Sequence, residues 1–352
     1  MTALTMPAQP HEDASLRPVP WRRMAGVTWR QHRFTLVGMT ALLGVLGLYL
    51  WLSGLGMHHA YTVATACRPA DSVACINTVG DFNAAYGTTA QTIAALLHGV
   101  PALIGAFVGA PVLARELETG TFRYAWTQGF GRWRWALAKL VLLAIAVAAA
   151  AELFSLLFSW YFQPLLDEPG YQTPLGPGLF DLRGVTFAAW TLAALAIGAL
   201  AGMLIRRVVP AIAVTLAAWA GLLLAAGLFL RQHYAVPLIT SNPNAGASNN
   251  WIMAQWWTKG GTTISNPTMN RIIQSTIEQV APKTNSNFTP DSPDAPFQIA
   301  QRYLINHGYT LWTRYQPASR FWPFQWIEGG WLLALSLLLI AATVWLVRRR
   351  AA

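Results

Sequence analysis

Residues 184–230 read GVTFAAWTLAALAIGALAGMLIRRVVPAIAVTLAAWAGLLLAAGLFL, and this stretch decides the class of fold. It consists of two apolar runs whose only charged residues, Arg206 and Arg207, stand together between them. Each run is long enough to cross about 30 Å of hydrocarbon, because an α-helix rises about 1.5 Å per residue. The stretch therefore predicts two membrane-spanning helices joined by a tight basic hairpin.

Four further apolar runs extend this pattern over the chain. The six predicted spans are 34–57, 92–113, 136–160, 184–205, 208–230 and 327–347. Hydrophobic residues make up 54% of the chain and charged residues 11%, which is less than half the charged share of about 25% usual in soluble proteins. The sequence predicts an all-α polytopic membrane protein with six transmembrane helices, and no cleavable signal peptide is expected.

The basic residues predict how these helices are oriented in the plasma membrane. With the N-terminus in the cytoplasm, every dense group of Lys and Arg falls on the cytoplasmic side, as the positive-inside rule requires. These groups lie at 22–33, 115–139, 206–207 and 348–350. Both termini are then cytoplasmic. Membrane orientation accounts for the net charge of +10, so nucleic acid is not an expected partner.

This orientation divides the chain into five regions. They are a disordered cytoplasmic tail (1–20), an interfacial elbow helix (21–33), transmembrane helices 1–5 with a cytoplasmic coupling region at 115–135 (34–230), a large extracellular loop or lid between helices 5 and 6 (231–325), and transmembrane helix 6 with a basic cytoplasmic tail (326–352). A smaller outer loop is predicted at 58–91. Apolar spacing predicts two short helices in the lid, at 270–280 and 296–306.

The elbow is predicted from its amphipathic pattern. At 100° per residue its arginines fall on one side, opposite Trp21, which is typical of a helix lying on a lipid surface. A basic flank that only fixes topology is the alternative. The elbow residues are Trp21, Arg22, Arg23, Trp29, Arg30 and Arg33.

Two cysteines, Cys67 and Cys75, lie in the first predicted outer loop. Eight residues apart on the oxidising side of the membrane, they predict a disulfide, with two free thiols as the alternative. No second group of Cys or His residues accompanies them, so a metal site is not expected.

The chain has no motif of a catalytic or nucleotide-binding site. It lacks a G-x-x-x-x-G-K-[ST] phosphate loop, so it is expected neither to bind ATP nor to act as an enzyme alone. Transport energy would come from a partner or an ion gradient. Ionisable residues inside spans mark candidate pathways, and these are His98 and Glu152. Polar groups satisfied by a neighbouring helix are the alternative reading.

The segment Arg115-Glu116-Leu117-Glu118-Thr119-Gly120-Thr121, which we call the knuckle, follows the second span. The run from Pro101 through the knuckle to Lys139 resembles actinobacterial ABC-2-type transporter permeases, as does Tyr315–Gln325. Glu118–Thr121 matches the broader Glu-x-Gly-Thr signature of these permeases. Trp29–Arg33 resembles their N-terminal elbow. The long loop between spans five and six departs from the usual pattern.

The resemblance implies a half-transporter. Two permease copies would form a homodimer. Each copy would bind a separate ATP-binding subunit on its inner face, and that subunit would bind ATP and Mg. A coupling element of the permease would contact the ATP-binding subunits and transmit their conformational change to the spans. By resemblance its residues are Arg115, Glu116, Glu118, Gly120, Thr121 and Arg123.

The predicted function is export of a small amphiphilic compound such as a drug, natural product or lipid. A membrane sensor or immunity protein for an extracellular peptide or antibiotic is one alternative. An outer-face enzyme acting on a lipid or cell-wall precursor is another. Its candidate residues would be His58, His59, Asp71, Asp81, Glu152 and Asp167.

Overall fold

The computed structural model describes residues 21–68, 72–120, 132–168, 170–243, 245, 249–280 and 296–350. The α-helices of these residues are α1 (Trp21–Ala66), α2 (Val73–Leu97), α3 (Gly99–Ile104), α4 (Ala110–Thr119), α5 (Arg132–Asp167), α6 (Gly184–Ile205), α7 (Val208–Ala225), α8 (Asn266–Val280), α9 (Pro296–Asn306) and α10 (Phe321–Arg350). The strands are β1 (Leu238–Thr240), β2 (Trp251–Lys259), β3 (Thr262–Ile264) and β4 (Tyr309–Gln316). The predicted tail at 1–20 lies outside the described residues.

Among the described residues, six helical stretches are long and apolar enough to cross a membrane, which agrees with the predicted number. They are Val37–Ala66, Asn77–Thr119, Trp133–Asp167, Gly184–Ile205, Val208–His233 and Ala318–Arg349. The tight hairpin between the fourth and fifth spans is also confirmed, because α6 ends at Ile205 and α7 begins at Val208. The orientation of the termini stays a prediction.

The prediction of an outer loop at 58–91 is wrong. Helix α1 continues to Ala66 and α2 begins at Val73, so most of this segment is helical. The 46 residues of α1 extend about 69 Å, roughly twice the thickness of the hydrocarbon core. Polar residues in this region favour a loop, but a helix that continues beyond the bilayer is polar as well.

The second span is built from several helical pieces. Helix α2 ends at Leu97 with His98 as its C-cap, α3 follows, and a π-helical turn at Gly105–Gly109 leads into α4. Pro101 and Pro111 remove backbone donors on both sides of this turn, and local π adjustments are a common way for a helix to accommodate such losses.

Glycines bring this irregular part of the second span close to α6. A Cβ at Gly105 would lie 2.6 Å from the Ala194 carbonyl oxygen, and one at Gly109 would lie 2.7 Å from that of Leu195. On the facing helix, a Cβ at Gly198 would collide with the Gly105 carbonyl oxygen. Small residues of this kind let transmembrane helices approach until their backbones touch. Helix α6 is therefore the central packing partner of the second span.

A four-stranded antiparallel sheet lies between the fifth and sixth spans, in the order β1-β4-β2-β3. The prediction of an all-α chain is therefore wrong in this region, although the chain is mostly helical. The turn from β2 to β3 is made by Gly260 and Gly261, both with positive φ. A Gly-Gly pair between two strands is a hairpin signal. This signal was missed because the tryptophans of β2 are equally typical of a membrane interface, which the sequence analysis predicts here.

Helices α8 and α9 confirm the two short helices predicted in the lid. They pack on the sheet through a small core of their own, which contains Trp257, Met269, Ile273, Leu304 and Leu311. We call this unit of four strands and two helices the sheet domain. Its predicted position outside the membrane is untested.

The predicted elbow residues belong to α1, which runs from Trp21 into the first span without a break. The location of this segment on the membrane surface stays a prediction, and Arg33 is the one elbow side chain that is described; it is exposed. The last helix begins at Phe321, earlier than the predicted span at 327–347, because the aromatic residues Phe321, Trp322 and Phe324 continue the helix on the side of the sheet domain.

The glycine contact predicts that adding one methyl group destabilises the protein at Gly198 but not at an uncrowded glycine. Gly198→Ala should lower the free energy of unfolding by about 1–3 kcal/mol, since the methyl group has no room against the π-helical turn and the first residue of α4. The matched control is Gly221→Ala in α7, where nothing lies within 4 Å of an added Cβ; it should stabilise by up to about 1 kcal/mol. Thermal unfolding of both variants in the same detergent checks this, and equal behaviour would contradict the close packing.

Candidate functional site

The knuckle closes the second span as the sequence predicts. Helix α4 ends at Thr119, and Gly120 takes a left-handed conformation with φ of 71°. This backbone conformation ends a helix and is readily available only to glycine. Arg115 is exposed on the last turns of α4. Thr121 and Arg123, like the rest of 121–131, lie outside the described residues.

The two knuckle carboxylates have partners within the chain. The Glu118 Oε2 atom accepts a hydrogen bond of 3.0 Å from the backbone N–H of Val208, the first residue of α7. Because the first N–H groups of a helix lack partners inside it, this carboxylate caps α7. Glu116 forms an ion pair with Lys139 of α5. The knuckle is thereby attached to the third and fifth spans.

Lys139 is buried even though it carries a charge. Its Nζ atom contacts Glu116 and lies 4.4 Å from the centre of the Trp135 ring. A buried ammonium needs such compensation, since leaving it unpaired would cost several kcal/mol. A displacement of the knuckle therefore also displaces α5.

A second polar site lies at the other end of α6, about 33 Å away by the length of that helix. Arg231, at the end of the fifth span, is fully buried. It forms ion pairs with Asp181, in the turn before α6, and with Glu328 of α10, whose Oε1 lies 2.8 Å from Arg231 Nη2. Trp190 and Tyr234 complete this group. We call these five residues the arginine cluster.

Every member of the arginine cluster bonds to another member. The indole N–H of Trp190 donates to Asp181 Oδ1 at 3.1 Å and to Glu328 Oε1 at 3.0 Å. Arg231 Nε and the Tyr234 hydroxyl each donate to Glu328 Oε2 at 3.1 Å. The guanidinium also stacks over the Phe180 ring, 4.3 Å from its centre.

The pKa values at the edge of the cluster follow from burial and charge. Burial alone would raise the pKa of Asp181, but the adjacent Arg231 guanidinium outweighs it and holds that pKa below its usual value. Burial and the Glu328 carboxylate raise the pKa of Tyr234. Asp181 is therefore ionised, and Tyr234 keeps the hydroxyl hydrogen that it donates.

Of the predicted pathway residues, the structure brings His98 to this cluster and leaves Glu152 apart. The His98 Nε2 atom lies 3.8 Å from Asp181 Oδ2. Glu152 lies on α5, partly exposed, with no hydrogen bond or ion pair to the other described residues.

Sequence reasoning missed Asp181, Arg231 and Glu328. Asp181 and Arg231 lie outside the predicted spans, and Glu328 is the second residue of the predicted sixth span, far from the middle of the membrane. One signal was present: Glu328 is the only acidic residue between Arg320 and Arg348. An acid within an apolar span is paired or functional by default.

The disulfide residues and the candidate catalytic histidines lie away from the cluster. Cys67 and Cys75 are joined by a disulfide across the turn from α1 to α2. The His58 ring stacks on Trp160 with 4.6 Å between ring centres, and its Nε2 lies 2.9 Å from the Trp160 carbonyl oxygen. Over the described ranges, no group of three His, Cys, Asp or Glu residues could hold a metal ion.

Comparison with known proteins gives one match. A family model described as ABC-2 membrane transporter related matches residues 40–231, more than half of the chain. The match includes the knuckle and nearly all of the first five spans, and it ends before the sheet domain. No curated protein and no solved structure matched the chain.

The arginine cluster predicts a large penalty for removing its cation. Arg231→Met leaves Asp181 and Glu328 buried without their partner, so the free energy of unfolding should fall by about 3–5 kcal/mol. Neutralising one acid as well, in the double variant Arg231→Met with Glu328→Gln, should recover part of that loss. The exposed Arg271 supplies a control, and Arg271→Met should change stability by at most about 0.5 kcal/mol.

Unfolding of the purified chain in detergent, followed by tryptophan fluorescence, measures all three variants. If Arg231→Met is as stable as Arg271→Met, then Arg231 does not stabilise the buried Asp181 and Glu328, and the arginine cluster is contradicted.

Proposed function

The chain belongs to the ABC-2 membrane transporter related family, and we propose that it is the permease subunit of an ATP-driven exporter of small amphiphilic compounds. A separate ABC ATP-binding subunit would supply the energy, because the chain has no phosphate-binding loop of its own. The assembly would contain two permease copies and two ATP-binding subunits. ATP and Mg would be bound by the partner.

The observation that carries this proposal is the attachment of the knuckle to two neighbouring spans. Glu118 caps α7 and Glu116 pairs with α5, so a push on this short segment acts on three helices together. An ATP-binding subunit closing beneath the knuckle would move them as a unit. The arginine distribution supports a cytoplasmic position for the knuckle, where such a subunit would dock.

An apolar cavity supports an amphiphilic cargo. It has a volume of about 770 Å³ and lies between α1 and α5, with Gly47, Ile104, Phe154 and Leu157 in its wall. Small-molecule sites usually have volumes of about 300–1,000 Å³ and mostly apolar walls. The apolar part of a drug, natural product or lipid would fit there.

The sheet domain favours a second candidate, a membrane sensor that recognises an extracellular peptide or antibiotic. This domain has its own core and lies outside the region matched by the family model. Both candidates need the ATP-binding subunit, but only an exporter moves cargo. ATP-dependent accumulation of rhodamine 6G in inside-out vesicles therefore separates them. The outer-face enzyme has less support, since no hydrogen bond or ion pair joins any two of its described candidate residues.

The proposal predicts that damage to the knuckle disconnects the ATP-binding subunit. Glu118→Ala removes the cap of α7, and Gly120→Pro cannot adopt the positive φ. Each should reduce recovery of that subunit with the tagged chain about tenfold, equivalent to about 1.4 kcal/mol of binding free energy. Affinity purification from host membranes, followed by an ATP hydrolysis assay, measures this loss.

Glu278→Ala is the matched control, because Glu278 is an exposed glutamate on α8 of the sheet domain. It should leave recovery and hydrolysis unchanged. If an ATP-binding subunit copurifies equally with all variants, or with none including the original chain, the coupling role of the knuckle is wrong.

A further inference from the structure

Three apolar side chains are exposed where the fifth span joins the sheet domain. We call them the apolar ridge, and they are Val236, Leu238 and Ile239. Val236 is 83% exposed, and it follows shortly after His233, where the span ends. Leu238 and Ile239 belong to β1, the strand at one edge of the sheet. Scattered apolar residues are normal on a surface, but a contiguous group of them marks an interaction surface.

Polar contacts fix the backbone of this ridge. The Gln316 side chain donates a hydrogen bond of 2.7 Å to the Ala235 carbonyl oxygen. Arg320 Nη1 donates a second, also of 2.7 Å, to the Val236 carbonyl oxygen. The two ridge residues on β1 pair with β4. The ridge therefore has a defined conformation, in which its backbone bonds to the protein and its apolar side chains remain outside.

The ridge continues the outward-facing surface of the sixth span. Four exposed residues of α10 are spaced by four, seven and four positions, so they form one stripe along the helix. In order they are Trp322, Trp326, Leu333 and Leu337. Tryptophans at the end of such a stripe are typical of a membrane–water interface. Because Arg320 bonds to Val236, the ridge adjoins the tryptophan end of the stripe.

Each end of the ridge lies beside an arginine. Arg320 bonds to Val236, and Arg314 is the cross-strand partner of Ile239. The Arg314 side chain is exposed, and no hydrogen bond or ion pair joins it to another residue in the described part of the chain. Within residues 234–280 and 296–327, the only acid is Glu278 of α8.

The sheet separates Arg314 from this acid. Helices α8 and α9 pack on the face that carries Trp257 and Leu311. Neighbouring residues of a strand point to opposite faces, so Arg314, three positions after Leu311, lies on the face that these helices leave uncovered. The described part of the sheet domain thus presents a cation beside exposed aliphatic side chains, with no acid on that face to neutralise it. This pattern is complementary to an anionic group attached to an apolar body.

We propose that the apolar ridge lies in the lipid–water interface at this end of the spans, with Arg314 and Arg320 bonded to phospholipid phosphates. The aliphatic side chains contact the first carbons of the acyl chains, and a guanidinium matches a phosphate through two parallel hydrogen bonds. Because β1 is an edge strand, its unpaired backbone groups need water, which places the ridge at the level of the headgroups. This contact holds the sheet domain against the bilayer, whatever the chain transports.

A fluorescent label on the ridge measures its depth. The two cysteines of the chain are joined in the disulfide, so a cysteine introduced elsewhere is the only thiol that reacts. Val236→Cys and Ile239→Cys, each labelled with nitrobenzoxadiazole, are compared in vesicles of phosphatidylcholine and phosphatidylglycerol. One set of vesicles carries a nitroxide on the lipid headgroup, and another carries it near the end of an acyl chain. Both ridge side chains are exposed, so these substitutions remove little packing.

Two further labelled positions serve as references. Leu337→Cys lies within the sixth span and is exposed. Thr263→Cys is the matched control, because Thr263 is an exposed residue on the opposite edge strand. It pairs with Thr258, seven residues along β2 from Trp251, which packs beside the start of α10. Thr263 is therefore about 23 Å farther from the spans.

The headgroup nitroxide should quench both ridge labels at least about twofold more than the acyl-chain nitroxide, because interfacial side chains lie near the boundary of headgroups and acyl chains. The order should reverse at position 337. Neither nitroxide should quench the label at position 263, whose emission should be that of the dye in water. Water-like emission from both ridge labels would overturn the proposal. So would ridge labels shielded from water that neither nitroxide quenches, since a second copy or another protein would then cover the ridge.

Arg314→Gln tests the phosphate contact. Combined with Ile239→Cys, it should reduce quenching by the headgroup nitroxide about twofold, because a cation near an anionic surface strengthens membrane contact. Arg271→Gln is the matched control, since Arg271 is an exposed arginine of α8, and it should leave quenching unchanged. Equal quenching in the two variants would overturn the role of Arg314. The vesicles contain no ATP-binding subunit, so these results and those on the knuckle fail separately.

Discussion

Burial of the Arg231 guanidinium is the constraint on which this end of the molecule depends. A cation removed from water has to be compensated, and its partners come from distant parts of the chain: Asp181 before the fourth span and Glu328 in the sixth. The ends of three spans must therefore meet at one point. Gln325 strengthens this junction, because its side chain accepts from the Thr186 backbone N–H and donates to the Phe180 carbonyl oxygen.

The second span connects this junction to the knuckle. His98 and Gly120 belong to one helical stretch and are separated by about 33 Å along its axis. Between them, the glycine contact brings the backbones of the second span and α6 together. A displacement at the knuckle would then be carried along the second span toward His98 and the arginine cluster, since close-packed interiors transmit strain. The proposed coupling element and the contact with the arginine cluster lie at opposite ends of the second span.

Hydropathy was sufficient to predict the parts of the fold that the bilayer dictates. The six spans, the short hairpin at Arg206-Arg207 and the helix end at Gly120 follow from length, charge and the backbone freedom of glycine. The sheet was missed because tryptophans such as Trp257 suit a membrane interface and a strand equally well. The arginine cluster was missed for a different reason: its partners are far apart in the chain, and no local pattern shows which charges will meet.

The most direct test of the account is site-specific photo-crosslinking in the membranes of the host. The photoreactive residue p-benzoylphenylalanine would replace Thr119 in one variant and Glu278 in another, both exposed positions. The account predicts that an ATP-binding subunit, identified by mass spectrometry through its phosphate-loop peptide, is captured from position 119 and not from position 278. Capture from position 278 alone would place the ATP-binding subunit on the sheet domain and contradict the account.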